Sequence, residues 1–320
     1  MNINLGYVAI ALNLKDATVN KTTTFKSLSK LDPKIWNRVV GDLALKNIEN
    51  IQRVIRYNSA YGIKVYRLTS KIIPLATHEG LKDWRWEEDL SDAFKELGDT
   101  IRKHKVRISA HPDHFVLLNS KKEDVIVASI KDLEYHMKMY ELMGLSKDSK
   151  MVLHIGGGYG NKKESIERFY RGFDRISDNI KSRIILENDD KTFNVEDVLG
   201  ICKNIKVPMV LDAHHDWCNP SSEPLENYIN DIFHTWKGEE IPPKVHFSSP
   251  KNEKEFRSHH DYINSDDFLK FVFMVKDKWN KDIDIMIESK QKDLSLLKLV
   301  EDIKNNPKIK IVSGGSFVVQ

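Results

Sequence analysis

Eight short aliphatic runs recur along the 320-residue chain, separated by longer segments of helical period, and this alternation limits the available folds more than any other feature. The runs are "LGYVAIAL", "IKVYRLTS", "VRISAHP", "MVLHIGGG", "RIILEN", "PMVLDAHH", "KVHFSS" and "DIMIESK". Those without polar alternation suit strands covered on both faces, as in parallel sheets flanked by crossover helices. Between the third and fourth runs, Ile126, Ile130, Leu133, Met137 and Tyr140 step at helical spacing, and Gly144 supplies a stop. Comparable segments follow Pro33, Trp86, Lys163, Val195, Leu225 and Asp266, with a last one from Asp293 to Asn305. Strand then helix, eight times over, predicts an α/β fold, a single (β/α)8 TIM barrel over residues 1–320 whose working face lies at the C-terminal ends of the strands. An open doubly wound sheet is the competing architecture, but no GxGxxG follows the first run.

The strand ends carry a second pattern. The third run reaches His111, the fourth carries His154, the fifth Glu187, the sixth Asp212 with His214 and His215, the seventh His246 and the eighth Glu288. A single strand-end His or Glu is ordinarily a satisfied core residue or the solvated start of a loop. Six in succession, on strands whose ends converge around one axis, predict a shared metal site. Imidazoles and carboxylates without thiolate suit Mn, Zn or Fe. More than four such ligands exceed one tetrahedral zinc, so at least two ions sharing a bridging carboxylate are expected, with Glu187 midway through the series.

Composition narrows the class of partner. Lys plus Arg (50) against Asp plus Glu (47) leaves a formal net charge of +3, too small by itself to demand a polyanion. Basic residues nevertheless gather in the loops after the strands, in "NSKKED", "GNKKES", "DDKT", "SPKNEKEFR" and "SKQKD", which predicts a basic rim suited to phosphates. Cys202 and Cys218 lack metal-ribbon or CxxC spacing and fit a reducing cytosol. With no signal-like start and no apolar run of about 18 residues, a soluble cytoplasmic protein is expected, with no membrane and no obligate protein partner.

The segments "LATH", "RISAHPDHF", "LHIGGGYGNK", "LENDDKT", "VLDAHHDW", "PKVHFSSPK", "RSHHDYI" and "MIESKQKD" stand in the order and spacing of the UV damage endonucleases, a family the chain resembles over nearly its whole length. That family is related in fold to endonuclease IV-type apurinic nucleases and to metal-dependent sugar isomerases. The resemblance implies a nuclease that acts on damaged double-stranded DNA and cuts immediately 5′ of a UV photoproduct, leaving a 3′-hydroxyl. Pyrimidine dimers and 6-4 photoproducts are the implied lesions, with abasic sites a further candidate. It implies two or three divalent ions, manganese as the usual metal, with zinc or magnesium as alternatives. By resemblance, His111, His154 and Glu187 hold one ion, and Glu187, Asp212, His246 and Glu288 a second. A third involves His215 and His259, and His78 is a further ligand position, whereas His214 and His260 are left out because adjacent strand residues face opposite ways. Metal ions in such a site polarise the phosphate, acidify a bound water and neutralise the leaving oxygen, so no protein nucleophile is needed. Glu187, Lys244, His246 and Glu288 are the expected catalytic set. Lys244 lies two residues before His246 and shares its side of the strand; the resemblance makes a carbamate there one reading and a phosphate-contacting lysine the other.

The family commonly has Gln where this chain has His114, beside the aromatic Phe115, in the region that probes the lesion. Neutral His offers one donor and one acceptor and becomes a double donor on protonation, which predicts probing that is sensitive to pH near neutrality. Tyr7, at the end of the first strand, and Phe115 are the aromatic candidates for contact with unstacked DNA. The rival readings are an apurinic endonuclease or sugar isomerase of the same barrel type and, outside enzymes, a damage sensor with structural metals.

Overall fold

The structure, a computed structural model, describes residues 1–320. The eight runs form β1 (Asn2–Val8), β2 (Val65–Leu68), β3 (Arg107–Ala110), β4 (Lys150–His154), β5 (Ile184–Glu187), β6 (Met209–Asp212), β7 (Lys244–Phe247) and β8 (Ile283–Ile287). Consecutive strands pair in parallel, and β1 pairs both β2 and β8, so the sheet closes into the expected TIM barrel. Closure needs the glycine at Gly6: a Cβ there would stand 2.6 Å from the Val65 carbonyl oxygen. The crossover helices are α1 (Trp36–Ala60), α2 (Ser91–His104), α3 (Glu123–Leu142), α4 (Lys162–Asp174), α5 (Val195–Ile205), α6 (Ile229–His234), α7 (Ser265–Lys278) and α8 (Lys292–Ile303). No helix is long and apolar enough to cross a membrane.

After α8 the chain makes a hairpin that the eightfold pattern does not anticipate. β9 (Ile309–Ser313) and β10 (Ser316–Val319) turn at Gly314 and Gly315, and β10 lies antiparallel to the start of β1. The paired glycines between two alternating runs are a hairpin signal in the sequence itself.

The period of two along each strand decides what fills the barrel. Val152, Ile185 and Val210 point inward from β4, β5 and β6 and pack with Trp236 into a small apolar plug. On the other side the interior is charged: Arg107 grips both oxygens of Asp284, and Arg67 and Lys244 are buried nearby. Above the plug, the next inward residues of the same strands are His154, Glu187 and Asp212.

That periodicity overturns the reading of Tyr7 as a DNA contact. Tyr7 alternates with Ile3 and Leu5, so it faces the helical layer and is fully buried. Its hydroxyl donates to Asn58 Oδ1 of α1 at 2.6 Å, and its ring meets Tyr66 edge-on. Burial pushes the phenol pKa far upward, which leaves it a neutral hydrogen-bond donor in the core.

Candidate metal centre

At the C-terminal face the strand-end residues converge on Glu187. Its Oε1 lies 2.6 Å from His246 Nδ1, and its Oε2 lies 3.0 Å from His111 Nε2 and 3.5 Å from His154 Nε2. Two donor groups share this carboxylate: His111, His154 and Glu187, and then Glu187, Asp212, His246 and Glu288, with the ligand atoms of each group within 4.8 Å of one another. The parallel register produces this, because Glu187 pairs with His154 across β4 and β5, and Asp212 with His246 across β6 and β7.

Asp212 ends β6 and caps a helical turn, Ala213–Cys218. One carboxylate oxygen accepts from the His215 amide at 2.8 Å, while Oδ2 is buried without a partner. His154 Nδ1 and His246 Nε2 are also buried and unpartnered. The Asp212 oxygen is costly to leave unpaired unless a cation meets it, and together with the carboxylate and imidazole chemistry of the two donor groups it makes the residues a good fit for divalent ions.

His215 stands beside both groups. Its Nδ1 donates to the Asn188 carbonyl at 2.8 Å, an outer contact that fixes the ring as in many metal-bound histidines. His259 is held by an isolated bridge to Pro250, with its ring 5.5 Å from that of His214. His214 is satisfied at both nitrogens, by Ser248 Oγ and the Phe256 carbonyl, and since it lies with His215 on the helical turn after β6, the two diverge by helical rotation and not by strand alternation. His260 is exposed and accepts from the Tyr262 amide. His78 joins neither donor group; its Nδ1 accepts from the Gly80 amide and its ring stacks on Phe25 at 4.3 Å.

Two buried residues outside the sequence expectations shape the site. The Asn188 side chain accepts from the Asp212 amide at 2.9 Å and donates to the Asp212 carbonyl at 3.0 Å, tying the end of β6 to β5. Arg67 reaches Glu288 Oε1 at 2.6 Å. A lone Arg within the run "IKVYRLTS" is the available signal for the second, and the Asn directly after Glu187 for the first.

Charge is unevenly distributed among the acids. Burial opposes ionisation of Glu187, but His246, His154 and His111 outweigh it and hold its pKa well below the carboxylate range. Glu288 is likewise depressed, its burial outweighed by Arg67 and His246. Asp212 takes the opposite course: burial, reinforced by Glu187 and Glu288, pushes it up to about 8. Burial disfavours charge on His215, yet Asp212 and Glu187 raise it to about 9, whereas burial lowers His154 to about 4. The two shifts depend on one another, since ionised Asp212 is what raises His215, so in the metal-free protein at pH 7 the pair holds at least one proton that ligation must expel. Ion uptake at pH 7 is expected to release at least one proton from this pair, with apparent affinity rising with pH until the pair is deprotonated. Calorimetry in buffers of different ionisation enthalpy measures the release; pH-independent affinity between pH 6 and 9 would exclude Asp212 and His215 as ligands.

A cavity of about 860 Å³ opens beside the donor groups, lined among others by His111, His114, His154, Tyr159, Asp190 and His215. His114 and Phe115 project from its edge, the latter 55% exposed. Part of the basic rim is internally paired, as in Lys162 with Asp197 and Arg257 with Asp190. Lys163, Lys191, Lys254 and Lys290 are exposed.

A parallel barrel with carboxylate and imidazole donors gathered at its C-terminal mouth defines a TIM-barrel protein with a candidate metal site. The chain belongs to the UV-endonuclease UvdE family, whose profile matches residues 3–318. It is 40% identical over 317 residues to the UV DNA damage endonuclease of Bacillus thuringiensis subsp. konkukian (strain 97-27), covering 99% of each chain. The crystal structure of SacUVDE superposes with a TM-score of 0.84 at 31% identity, covering 94% of this chain and 98% of that one. Endonuclease IV from Thermus thermophilus shares the fold at a TM-score of 0.54 and 15% identity, over 89% of this chain and 92% of that one.

Proposed function

We propose that this protein is a DNA repair endonuclease that hydrolyses the phosphodiester immediately 5′ of UV photoproducts with two or three divalent ions, manganese foremost. The observation that carries this reading is the pair of donor groups joined through Glu187 in a member of the UvdE family. One group is His111, His154 and Glu187, the other Glu187, Asp212, His246 and Glu288, and His215 and His259 stand next to them as candidates for a third. Bound ions there supply Lewis acidity and an acidified water for attack on phosphorus. The chain itself contributes position and charge: exposed lysines at the rim meet phosphates, and His114 and Phe115 stand where an unstacked base pair would be probed.

A sugar isomerase of the same barrel type calls for a small closed pocket, whereas this cavity runs out to the exposed His114. A sensor with structural metals calls for closed coordination, whereas these donor groups border an open cavity of about 860 Å³. Incubation with supercoiled plasmid and Mn²⁺ is expected to convert UV-irradiated DNA to nicked circles, to spare unirradiated DNA, and to stop on addition of EDTA. Intact irradiated plasmid at saturating Mn²⁺ would refute the proposal.

Lys244 supports the carbamate reading over the phosphate-contact one. It is buried beneath His246 and makes neither hydrogen bond nor ion pair. Burial, with Arg67 and Arg107 nearby, lowers its pKa to about 7 despite Asp284, so much of it is the free amine that adds to CO₂ with loss of a proton. In ¹³C-bicarbonate the protein is expected to show one carbamate carbon resonance that Lys244→Arg removes; its absence in the metal-loaded wild type would return Lys244 to an ordinary buried amine.

A further inference from the structure

Arg67 is a buried cation whose only side-chain partner is a candidate metal ligand. It points into the barrel from β2, its side chain 9% exposed, and Nη1 lies 2.6 Å from Oε1 of Glu288, which is 13% exposed. None of its side-chain nitrogens makes a hydrogen bond of regular geometry within the protein, and Nη1 is fully enclosed. A buried guanidinium with five donors is normally held by several acceptors. Here a single carboxylate holds it, and that carboxylate stands with Glu187, Asp212 and His246 in one donor group. The positive charge also reaches His246, His259 and Lys244, each of which it makes harder to protonate.

We infer that Arg67 is the resident counter-cation of the Glu187–Asp212–His246–Glu288 group. Without metal it balances the buried carboxylates and holds Glu288 in place; toward an arriving dication it is a fixed like charge, so this group binds its ion more weakly than its ligands alone would. Arg67 is thus a positioning residue that trades metal affinity for stability of the metal-free fold. This rests on the metal reading of the group.

The sign of the effect on affinity separates this role from a purely orienting one. An outer residue that only orients a ligand lowers affinity by roughly 10- to 100-fold when removed. Removal of a repelling charge raises it, by about tenfold or more for a unit charge held on one of the ion's own ligands. Mn²⁺ binding is to be followed by electron paramagnetic resonance of the free ion, and metal-free stability by thermal unfolding in chelator, for the wild type, Arg67→Met, Arg67→Gln and Arg67→Lys. Met and Gln are expected to tighten the weakest Mn²⁺ site and lower the metal-free melting temperature, while Lys, which keeps the charge, stays near wild type in both. Gln can still donate to Glu288, so it decides the matter if Met does not fold; a variant that folds only with Mn²⁺ counts in favour. Weaker or unchanged binding in Met and Gln overturns the inference. Failure of the wild type itself to bind Mn²⁺ would instead overturn the metal reading.

Discussion

Glu187→Gln is expected to abolish nicking and strip both donor groups of metal while leaving the barrel folded. The carboxylate is the one residue common to the two groups, and three imidazoles approach within 3.5 Å of its oxygens. Gln preserves length and shape and can still donate to or accept from a neighbouring ring, so local packing survives. What disappears is the charge that holds two cations near one another. Loss of several kcal/mol of charge stabilisation corresponds to a fall in rate on the order of 10³-fold. The fold should persist because Ile184, Ile185 and Leu186 remain fully buried, and a neutral amide is easier to bury than an anion. Metal content by elemental analysis, nicking of irradiated plasmid and circular dichroism on one preparation test this together. Full metal content with near-normal nicking would remove Glu187 from the bridging role.

The residues legible in the sequence lie on regular strands, and most of the others depend on loops. His154, Glu187, Asp212 and His246 can be placed on one face because a strand-end residue in a closed parallel barrel has only one mouth to enter. Arg67 obeys the same geometry but is hidden among the aliphatics of its run, where a single cation resembles a strand edge. Tyr7 departs from its expected role although the signal is present: alternation with Ile3 and Leu5 sends it outward, and the inward positions of β1 belong to Asn4, Gly6 and Val8. His78 lies in the long segment between β2 and α2, where no periodicity fixes a side chain, and it stacks on Phe25 at the start of a short helical turn, Phe25–Leu28, in the segment after β1. Asn188 acts through side-chain hydrogen bonds to the backbone of a neighbouring strand, a role for which its place directly after Glu187 is the sole sequence signal. The terminal hairpin falls outside the expectation because the eight-unit count is already complete, although Gly314 and Gly315 mark its turn.

Substitution of His111 and of His114, three residues apart, should separate metal binding from lesion probing. Pro112 turns the chain away from β3, since a proline restricts the preceding residue to extended conformations and continues no ladder. His111 consequently stays over the barrel, with Nε2 on Glu187 and Nδ1 against the Pro112 carbonyl. His114 and Phe115 lie past the turn and are exposed, their rings 6.0 Å apart and steeply inclined to one another. His111→Ala removes a ligand from the group that has only three, so it is expected to lose that ion and to reduce cleavage on the order of 10²- to 10³-fold. His114→Ala leaves every candidate ligand in place and removes the polar contact proposed to a displaced base. Net, one hydrogen bond is worth about 1 kcal/mol, so preference for irradiated over intact duplex should fall by roughly 3- to 10-fold with metal content unchanged. Competition binding with and without a defined photoproduct, alongside metal analysis, distinguishes the two. If His114→Ala instead loses a metal ion and keeps its lesion preference, the loop after β3 serves the metal side of the cavity, and the probing of damage must be sought on another rim.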